Sequence, residues 1–401
     1  MKILVISQHY YPENFRITDI CETLVEMGHQ VDVICGLPNY PEGEVLSDYK
    51  HGKNREQVIN GVNIHRCFEI GRGKSKFKLF LNYYSVCLSM LSKAKKLNGK
   101  FDVVFINQLS PVMQAWAGIA YAKKHKIPCI MYCYDLWPDS LAAGGIGKNN
   151  SIFKYYYKVS NKCYKQVDKL LVTSKSFIDY FVDYHHIDVN KIHYLPQYCE
   201  DLFSNNEVTY DKKDNEFNFV FAGNIGKMQS VETIIKAANV IKDDKSIKIH
   251  IVGDGSNFEN CKKLANEYGL DNVFFYGRRP LEEMPKFYAM ADAMLVTLAK
   301  NDVISRTLPG KVQSYMAAGK PIIAAIDGEC QTIIKEAGCG IVCDSEDYID
   351  LSRMFIRLKS IDLCNLSNNS FEYYNKFFLK DIFFNNLIEK LNGGYNENIN
   401  N

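Results

Sequence analysis

Short apolar runs recur along the chain, each followed by a polar or glycine-containing turn and then by a stretch with helical character. KILVI (2–6) opens the series, and the loop and helix after it run to about Met27, where Gly28-His29 stops the helix. QVDVIC, GVNIHRC, FDVVFIN, IPCIMYCYD and KLLVTS continue it, with helical stretches between most of them. Strands that are apolar along their length and alternate with helices predict a parallel sheet covered on both faces.

The pattern breaks after KIHYLPQYCEDLF (191–203), where the polar stretch SNNEVTYDKKDNEF reads as a linker. It then restarts with FNFVFAGN, a helix from Val231 to Ile241, IKIHIVGDG, a helix to Tyr268, NVFFYG, a helix to Met290 and AMLVTL, and KPIIAAI and GCGIVC follow. The reading is α/β, with one Rossmann-like domain over residues 1–200 and a second over 201–375. A helix over 376–390 is expected to return towards the first domain, and the Asn-rich end, 391–401, to be disordered. Open parallel sheets bind ligands at the carboxyl ends of their strands. Two such sheets facing each other would enclose a cleft floored by amide groups and helix N-termini, which suits a diphosphate.

Composition narrows the function classes. A chain of 401 residues with 47% hydrophobic and 23% charged residues is an ordinary globular composition, and a net charge of +2 predicts no nucleic-acid partner. Thirteen cysteines show no paired zinc spacing, and Cys129 and Cys133 fall in an apolar strand, so core packing is expected for both. No signal peptide or membrane span is legible, which places the chain in the reducing cytoplasm. Residues 71–100 carry eight Lys or Arg and no Asp or Glu around an apolar, aromatic middle. That bias suits an anionic membrane surface, at about 1 kcal/mol per basic residue near the headgroups. A domain helix with solvated flanks is the competing reading, and it holds for the side facing the core.

Candidate chemistry concentrates at strand-to-helix turns. In TLPGKVQSYMAAGKPIIAA (307–325), Pro309 and Gly310 precede a helix whose first turn carries Lys311. A cation there opposes the helix dipole by roughly 0.3–1 kcal/mol, a conflict that a bound anion reverses. FAGNIGKMQSVETIIKAA (221–238) places Gly223 and Gly226 in another such turn, with Asn224 and Gln229 as uncharged donors. Gly253 and Gly255 in IVGDGSN form a third, and by itself this turn reads more readily as structural than as ligand-binding. Glu329, in AAIDGECQTII, suits either sugar hydroxyls or the first turn of a helix. CYDLWPDS brings Asp135 to the end of a strand, while Trp137 reads as packing or as a stacking surface for a sugar and Asp139 or Ser140 as a helix cap.

With these residues assembled, the chain resembles the retaining glycosyltransferases of family 4, whose GT-B fold is two facing Rossmann domains. GNIGKMQSVETIIKA, IVGDGSNFENCKKLANEYGLDNVFFYG, YAMADAMLVTL and SYMAAGKPII match the family's second domain in order and spacing. SQHYYPENFRITDICETLVEMGHQVDVICGLPNYPEG and YDLWPDS look like a WbuB-like branch that builds bacterial O-antigen and capsular polysaccharides. The likeness reaches to about residue 390. It implies a nucleotide-sugar donor, UDP-linked and N-acetylated or deoxy-amino, and a polyprenyl-diphosphate-linked saccharide acceptor at the inner face of the cytoplasmic membrane. It also implies metal independence, with no cofactor beyond the donor.

Departures from the family pattern redistribute the roles. Arg306 and Ser314 stand where the family often has two glutamates, eight positions apart, and Asn224 and Gln229 stand for its usual Arg and Lys. Asn14-Phe15 replaces its frequent double glycine, and its common histidine is missing from YCYDLWP. The implied catalytic set is Lys311, Asp135 and Glu329. The implied donor side is Gly223, Asn224, Gln229, Gly253, Gly255, Arg278, Gly310 and Ser314, with Asn14, Arg16 and Trp137 on the acceptor side. Two other classes compete: a nucleotide-sugar epimerase or hydrolase of similar fold, which needs no acceptor, and a non-catalytic polysaccharide-assembly protein that has lost the glutamate pair.

Overall fold

The computed structural model describes residues 1–143, 145–203, 208, 210 and 216–392. Most of the expected linker and the end of the chain beyond Asn392 lie outside these residues. The chain divides into two compact units. The first comprises Met1–Thr173, Phe177–Leu195 and the described residues from Leu387; the second comprises Ser174–Ser176 and the described part of Pro196–Asn386.

Eight strands form the first unit's sheet: β1 (Lys2–Ile6), β2 (Gln30–Cys35), β3 (Glu56–Ile59), β4 (Val62–Arg66), β5 (Val103–Gln108), β6 (Cys129–Cys133), β7 (Lys169–Val172) and β8 (Ile192–Tyr194). Their order is β3-β4-β2-β1-β5-β6-β7-β8, and every pairing is parallel except β3 with β4. The two outermost strands are additions to the sequence reading. β3 is a polar, half-exposed antiparallel edge, and β8 is three residues long and stops two short of Pro196, so neither carries a buried apolar run. Helix Arg16–Glu26 buries Ile17, Ile20, Cys21 and Leu24, one apolar stripe at helical spacing. Helices Lys76–Lys96, Ala115–His125 and Ser151–Gln166 contribute to one apolar core with β1, β5, β6 and β7.

The second unit's sheet is parallel throughout, in the order β11-β10-β9-β12-β13-β14. These strands are β9 (Phe217–Ala222), β10 (Ile247–Val252), β11 (Val273–Gly277), β12 (Ala293–Thr297), β13 (Ile322–Ala325) and β14 (Gly340–Cys343). Helices Val231–Val240, Phe258–Glu267 and Tyr348–Leu358 share one core cluster, and Met284–Met290, Gly310–Ala317, Glu329–Ala337 and Leu363–Phe377 share the other. The last described helix is Lys380–Asn392 rather than 376–390, because helix Leu363–Phe377 continues through that start and breaks at Phe378.

Each sheet has a point where the strand order reverses. In the first unit β1 is flanked by β2 and β5; in the second, β9 is flanked by β10 and β12. Connections diverge there, so the carboxyl ends of the central strands are left open for a ligand. All cysteines except Cys364 among the described residues are buried and all are free, Cys129 and Cys133 among them. No helix among the described residues is long and apolar enough to cross a membrane.

Candidate active site

In the second unit the turn after β9 meets the start of helix Gly310–Ala317. Tyr315 fixes that helix: its hydroxyl accepts from the Ala222 amide at 3.1 Å and donates to the Ala222 carbonyl at 3.0 Å. Lys311 lies one turn earlier on the same helix face, so its side chain is carried over the end of β9. Its Nζ is buried without a hydrogen-bond partner, 3.8 Å from the centre of the Phe221 ring. Burial pushes the Lys311 amine down to about 7. The helix follows Pro309 with no side-chain cap, so its first-turn N–H groups are not taken up by a capping side chain.

The glycines leave the room. A Cβ on Gly223 would sit 2.9 Å from the Lys311 Nζ, and Gly223 holds φ +141°. A Cβ on Gly253, at φ +137°, would run into the Gly223 carbonyl, and one on Gly255 would come to 2.5 Å from the Ile225 carbonyl oxygen. A Cβ on Gly310 would meet only Gln313 Oε1, at an ordinary contact distance of 3.9 Å. Within the turn, Gln229 Oε1 accepts from Asn224 Nδ2 at 3.0 Å and from the Gly226 amide at 3.1 Å. The structure therefore brings Lys311, Gly223, Asn224, Gln229, Gly253, Gly255 and Gly310 together.

Other donor-side residues are placed differently. Ser314 donates to the Gly310 carbonyl of its own helix. Arg278 is exposed just past β11, an edge strand two positions from β9. Glu329 is buried at the start of its helix, where Oε1 accepts from the Lys175 amide at 2.9 Å and Oε2 from the Ser176 amide at 3.0 Å and hydroxyl at 2.6 Å. Its carboxylate is thus engaged in holding Ser174–Ser176, a role that sequence spacing had no means of showing. Arg306 adds to the same clamp through the Ser176 carbonyl, at 3.2 Å.

In the first unit a cavity of about 960 Å³ lies at the strand-order reversal. Gln8 and His9, after β1, and Leu109 and Ser110, after β5, reach it from the two adjacent strand ends, and Asp135 reaches it from β6. Asp135 accepts from the Ser110 hydroxyl at 2.8 Å, and that hydroxyl accepts from the Trp137 indole at 2.8 Å. Burial holds the Asp135 carboxyl above its ordinary range, against the lowering effect of the Ser110 bonds. Trp137 lines the cavity while almost fully buried, and its carbonyl accepts from Tyr180 at 3.1 Å, so packing and lining coincide in one side chain.

Of Asn14, Arg16 and Trp137, which the resemblance implies for the acceptor side, Trp137 lines this cavity and the other two do not. Asn14 is exposed and Arg16 opens a helix; Phe15 between them lines the cavity, stacked on His9 with ring centres 4.6 Å apart. Two acidic residues that the sequence reading passed over, Glu13 and Glu69, organise this floor. Glu13 accepts from His9 Nδ1 at 2.8 Å and from the amides of Asn39 and Tyr40 at 2.8 and 2.7 Å. Glu69 accepts from Gln8 and Asn82, both at 2.7 Å, and burial pushes its carboxyl up to about 7. The only local signal was a lone acid beside an apolar run, which is too common to single out.

Residues 204–376 match the family described as Glycosyl transferases group 1, and residues 15–197 match Glycosyltransferase Family 4. Together the two matches span most of the chain, and both are to glycosyltransferases: the chain is a glycosyltransferase. The probable glycosyltransferase WbjE of Pseudomonas aeruginosa is 27% identical over 252 residues, 59% of this chain and 61% of that protein. The putative colanic acid biosynthesis glycosyl transferase WcaI of Escherichia coli is 25% identical over 344 residues, 80% of this chain and 82% of the relative. Among solved structures, sucrose-phosphate synthase from Thermosynechococcus elongatus has a TM-score of 0.72 at 17% identity, covering 98% of this chain and 99% of the other. Anabaena HepE in complex with UDP has a TM-score of 0.72 at 12% identity, covering 98% and 100%. These likenesses establish the GT-B fold, and the glycosyltransferase is a transferase enzyme. Among its described residues no group of three or more His, Cys, Asp or Glu is placed to hold a metal ion.

Proposed function

We propose that this glycosyltransferase moves a sugar, with retention, from a nucleotide-diphosphate donor to a lipid-linked saccharide in bacterial surface-polysaccharide assembly, as a WbuB-like enzyme of the O-antigen or capsule type. The observation that carries the reading is the Lys311 ammonium, buried without a partner against the Gly223 turn at the end of β9. A buried cation lacking an anion is costly, and a diphosphate at this helix start would supply one. Likeness to HepE, solved with UDP-glucose, and to WcaI supports the donor class and the polysaccharide setting. A UDP-linked N-acetylated or deoxy-amino sugar is the proposed donor.

In the reaction, the bond between the anomeric carbon and the diphosphate oxygen breaks while the acceptor hydroxyl oxygen bonds to that carbon. The acceptor proton passes to the departing phosphate, so the chain need supply no dedicated base. Lys311 and the first-turn amides of its helix would stabilise the charge that develops on the leaving group, and orientation of the acceptor supplies much of the rest. The proposal includes no resident metal or cofactor. The enzyme would work at the inner face of the cytoplasmic membrane, held by the basic, aromatic residues 71–100.

A thermal-shift panel of nucleotide sugars, followed by turnover with and without a lipid-linked acceptor, tests the reading. The correct donor raises the melting temperature by mass action, and product forms only when acceptor is present. Donor consumption or epimerisation at full rate without acceptor would replace this reading with the epimerase or hydrolase one.

A further inference from the structure

The second unit's sheet ends in β14, whose outer edge pairs with no strand among the described residues. We propose that this edge joins a second copy of the chain, β14 against β14 in antiparallel order about a two-fold axis beside Ile341.

An open edge is a row of unpaired amide and carbonyl groups, and folds ordinarily blunt it. The other edge strands described are blunted in this way. β3 carries Glu56, paired with Lys93 and His65; β8 is three residues long; β11 has a register shift against β10. β14, Gly-Ile-Val-Cys, has no proline or charge and meets β13 in unbroken register. The Ile322 and Ile326 amides donate to the Cys339 and Cys343 carbonyls, both at 3.0 Å. Bonding direction alternates along a strand, so 339, 341 and 343 face β13 while Gly340 and Val342 turn their N–H and C=O groups outward. A Cβ on Gly340 would strike the Ile322 carbonyl, so the backbone stays bare there.

Charge then selects the occupant. A groove of about 420 Å³ runs along this edge, lined by helices Glu329–Ala337 and Tyr348–Leu358. Lys335, just before the strand, and Arg357, at the far end of the returning helix, are exposed in it. Among the described residues neither forms an ion pair, whereas Asp350 in the same groove is matched by Arg353 at 3.7 Å. Past the strand's other end, Asp344, Glu346 and Asp347 are all exposed. The edge is therefore basic at its start and acidic at its finish. A second copy in antiparallel order lays each basic end against an acidic one, and its two-fold symmetry closes the assembly. Gly340 then faces Val342 of the second copy, each pair exchanging both its hydrogen bonds. Ile349 and Ile356, 40% and 53% exposed, share a helix face with the groove residue Arg353. Covering them adds the apolar burial that so short a ladder lacks.

Sedimentation velocity of the full chain over a concentration series tests the assignment. Wild type should pass from monomer to dimer. Val342→Pro removes an outward N–H and no bond to β13, so it should weaken association roughly tenfold or more. At a dilution where both are monomeric, the two proteins should melt alike. Lys335→Glu with Arg357→Glu, and separately Asp344→Lys with Glu346→Lys, should each weaken association roughly tenfold, because like charges then meet. Mixed in equal amounts, these two variants should form a heterodimer of near wild-type affinity, since every acidic end again meets a basic one. A wild type that stays monomeric up to about 100 μM overturns the assignment, including one that instead takes up an extended acidic peptide. So does a dimer unmoved by Val342→Pro, or charge variants that stay dimeric alone or monomeric when mixed. Should Val342→Pro fail to fold, the mixing result decides alone.

Discussion

The Nζ of Lys311 stands 3.8 Å from the centre of the Phe221 ring and has no hydrogen-bond partner. The ring face offsets part of the lost hydration, yet desolvation still pushes the amine down to about 7 from its ordinary 10.5. Between those values the unfolded chain holds a proton that the folded chain lacks. Stability of the free enzyme should therefore rise with pH across this window, by roughly 2 kcal/mol from pH 7 to pH 9. Denaturant titrations should show this rise in the wild type and a flatter profile in Lys311→Met, which should also be the more stable protein at pH 7.

Donor binding should reverse the shift, because a diphosphate restores the charged amine. At pH 8, calorimetry in buffers of different ionisation enthalpy should report uptake of about one proton per bound donor, and none in Lys311→Met. Turnover of Lys311→Ala at saturating donor should fall roughly 100- to 1000-fold, the range for losing one preorganised donor to a developing charge. A near-normal rate would remove the leaving-group role.

Glu329 separates a structural role from a catalytic one. Glu329→Gln places an amide NH₂ where the carboxylate accepts from Lys175 and Ser176, so it should cost roughly 1–3 kcal/mol of stability. Thermal unfolding and kcat measured together decide its role. Unchanged melting with lost turnover would reassign Glu329 to the sugar.

Gly253→Ala should be among the more damaging single-methyl changes in the second unit. Its φ of +137° disfavours any side chain, and the added Cβ would meet the Gly223 carbonyl. We expect a loss of more than about 1 kcal/mol, with weakened donor binding because Gly223 borders the Lys311 amine. Urea unfolding and the donor Kd provide the measurements.

Membrane association should depend on the exposed start of helix Lys76–Lys96, where Phe77 is 70% exposed. Replacing Lys74, Lys76 and Lys78 by Ser should weaken binding to anionic vesicles roughly hundredfold at low salt, at about 1 kcal/mol per charge. Sedimentation with vesicles of graded anionic content reads the effect. Binding that keeps its strength and salt sensitivity would rule the segment out.

The order of strands and helices was legible in the sequence because buried parallel strands are apolar along their length and the turns between them carry glycine. β3 and β8 were not, since an edge strand half in water leaves no such run. Local sequence also identified the Lys311 helix start, the Gly223 turn and the basic 71–100 stretch, each of which owes its chemistry to neighbours a few residues away. Only the tertiary structure decided that Lys311 points onto Phe221 without a partner, that Glu329 is engaged by Lys175 and Ser176, and that Phe15, rather than Asn14 or Arg16, faces the cavity. The same holds for the floor built by Glu13 and Glu69, which bond residues from 4 to 61 positions away in the chain. The physical reason is range: hydrophobic period and backbone conformation act over a few residues, whereas desolvation and hydrogen-bond partnership depend on groups that only the folded sheet brings side by side.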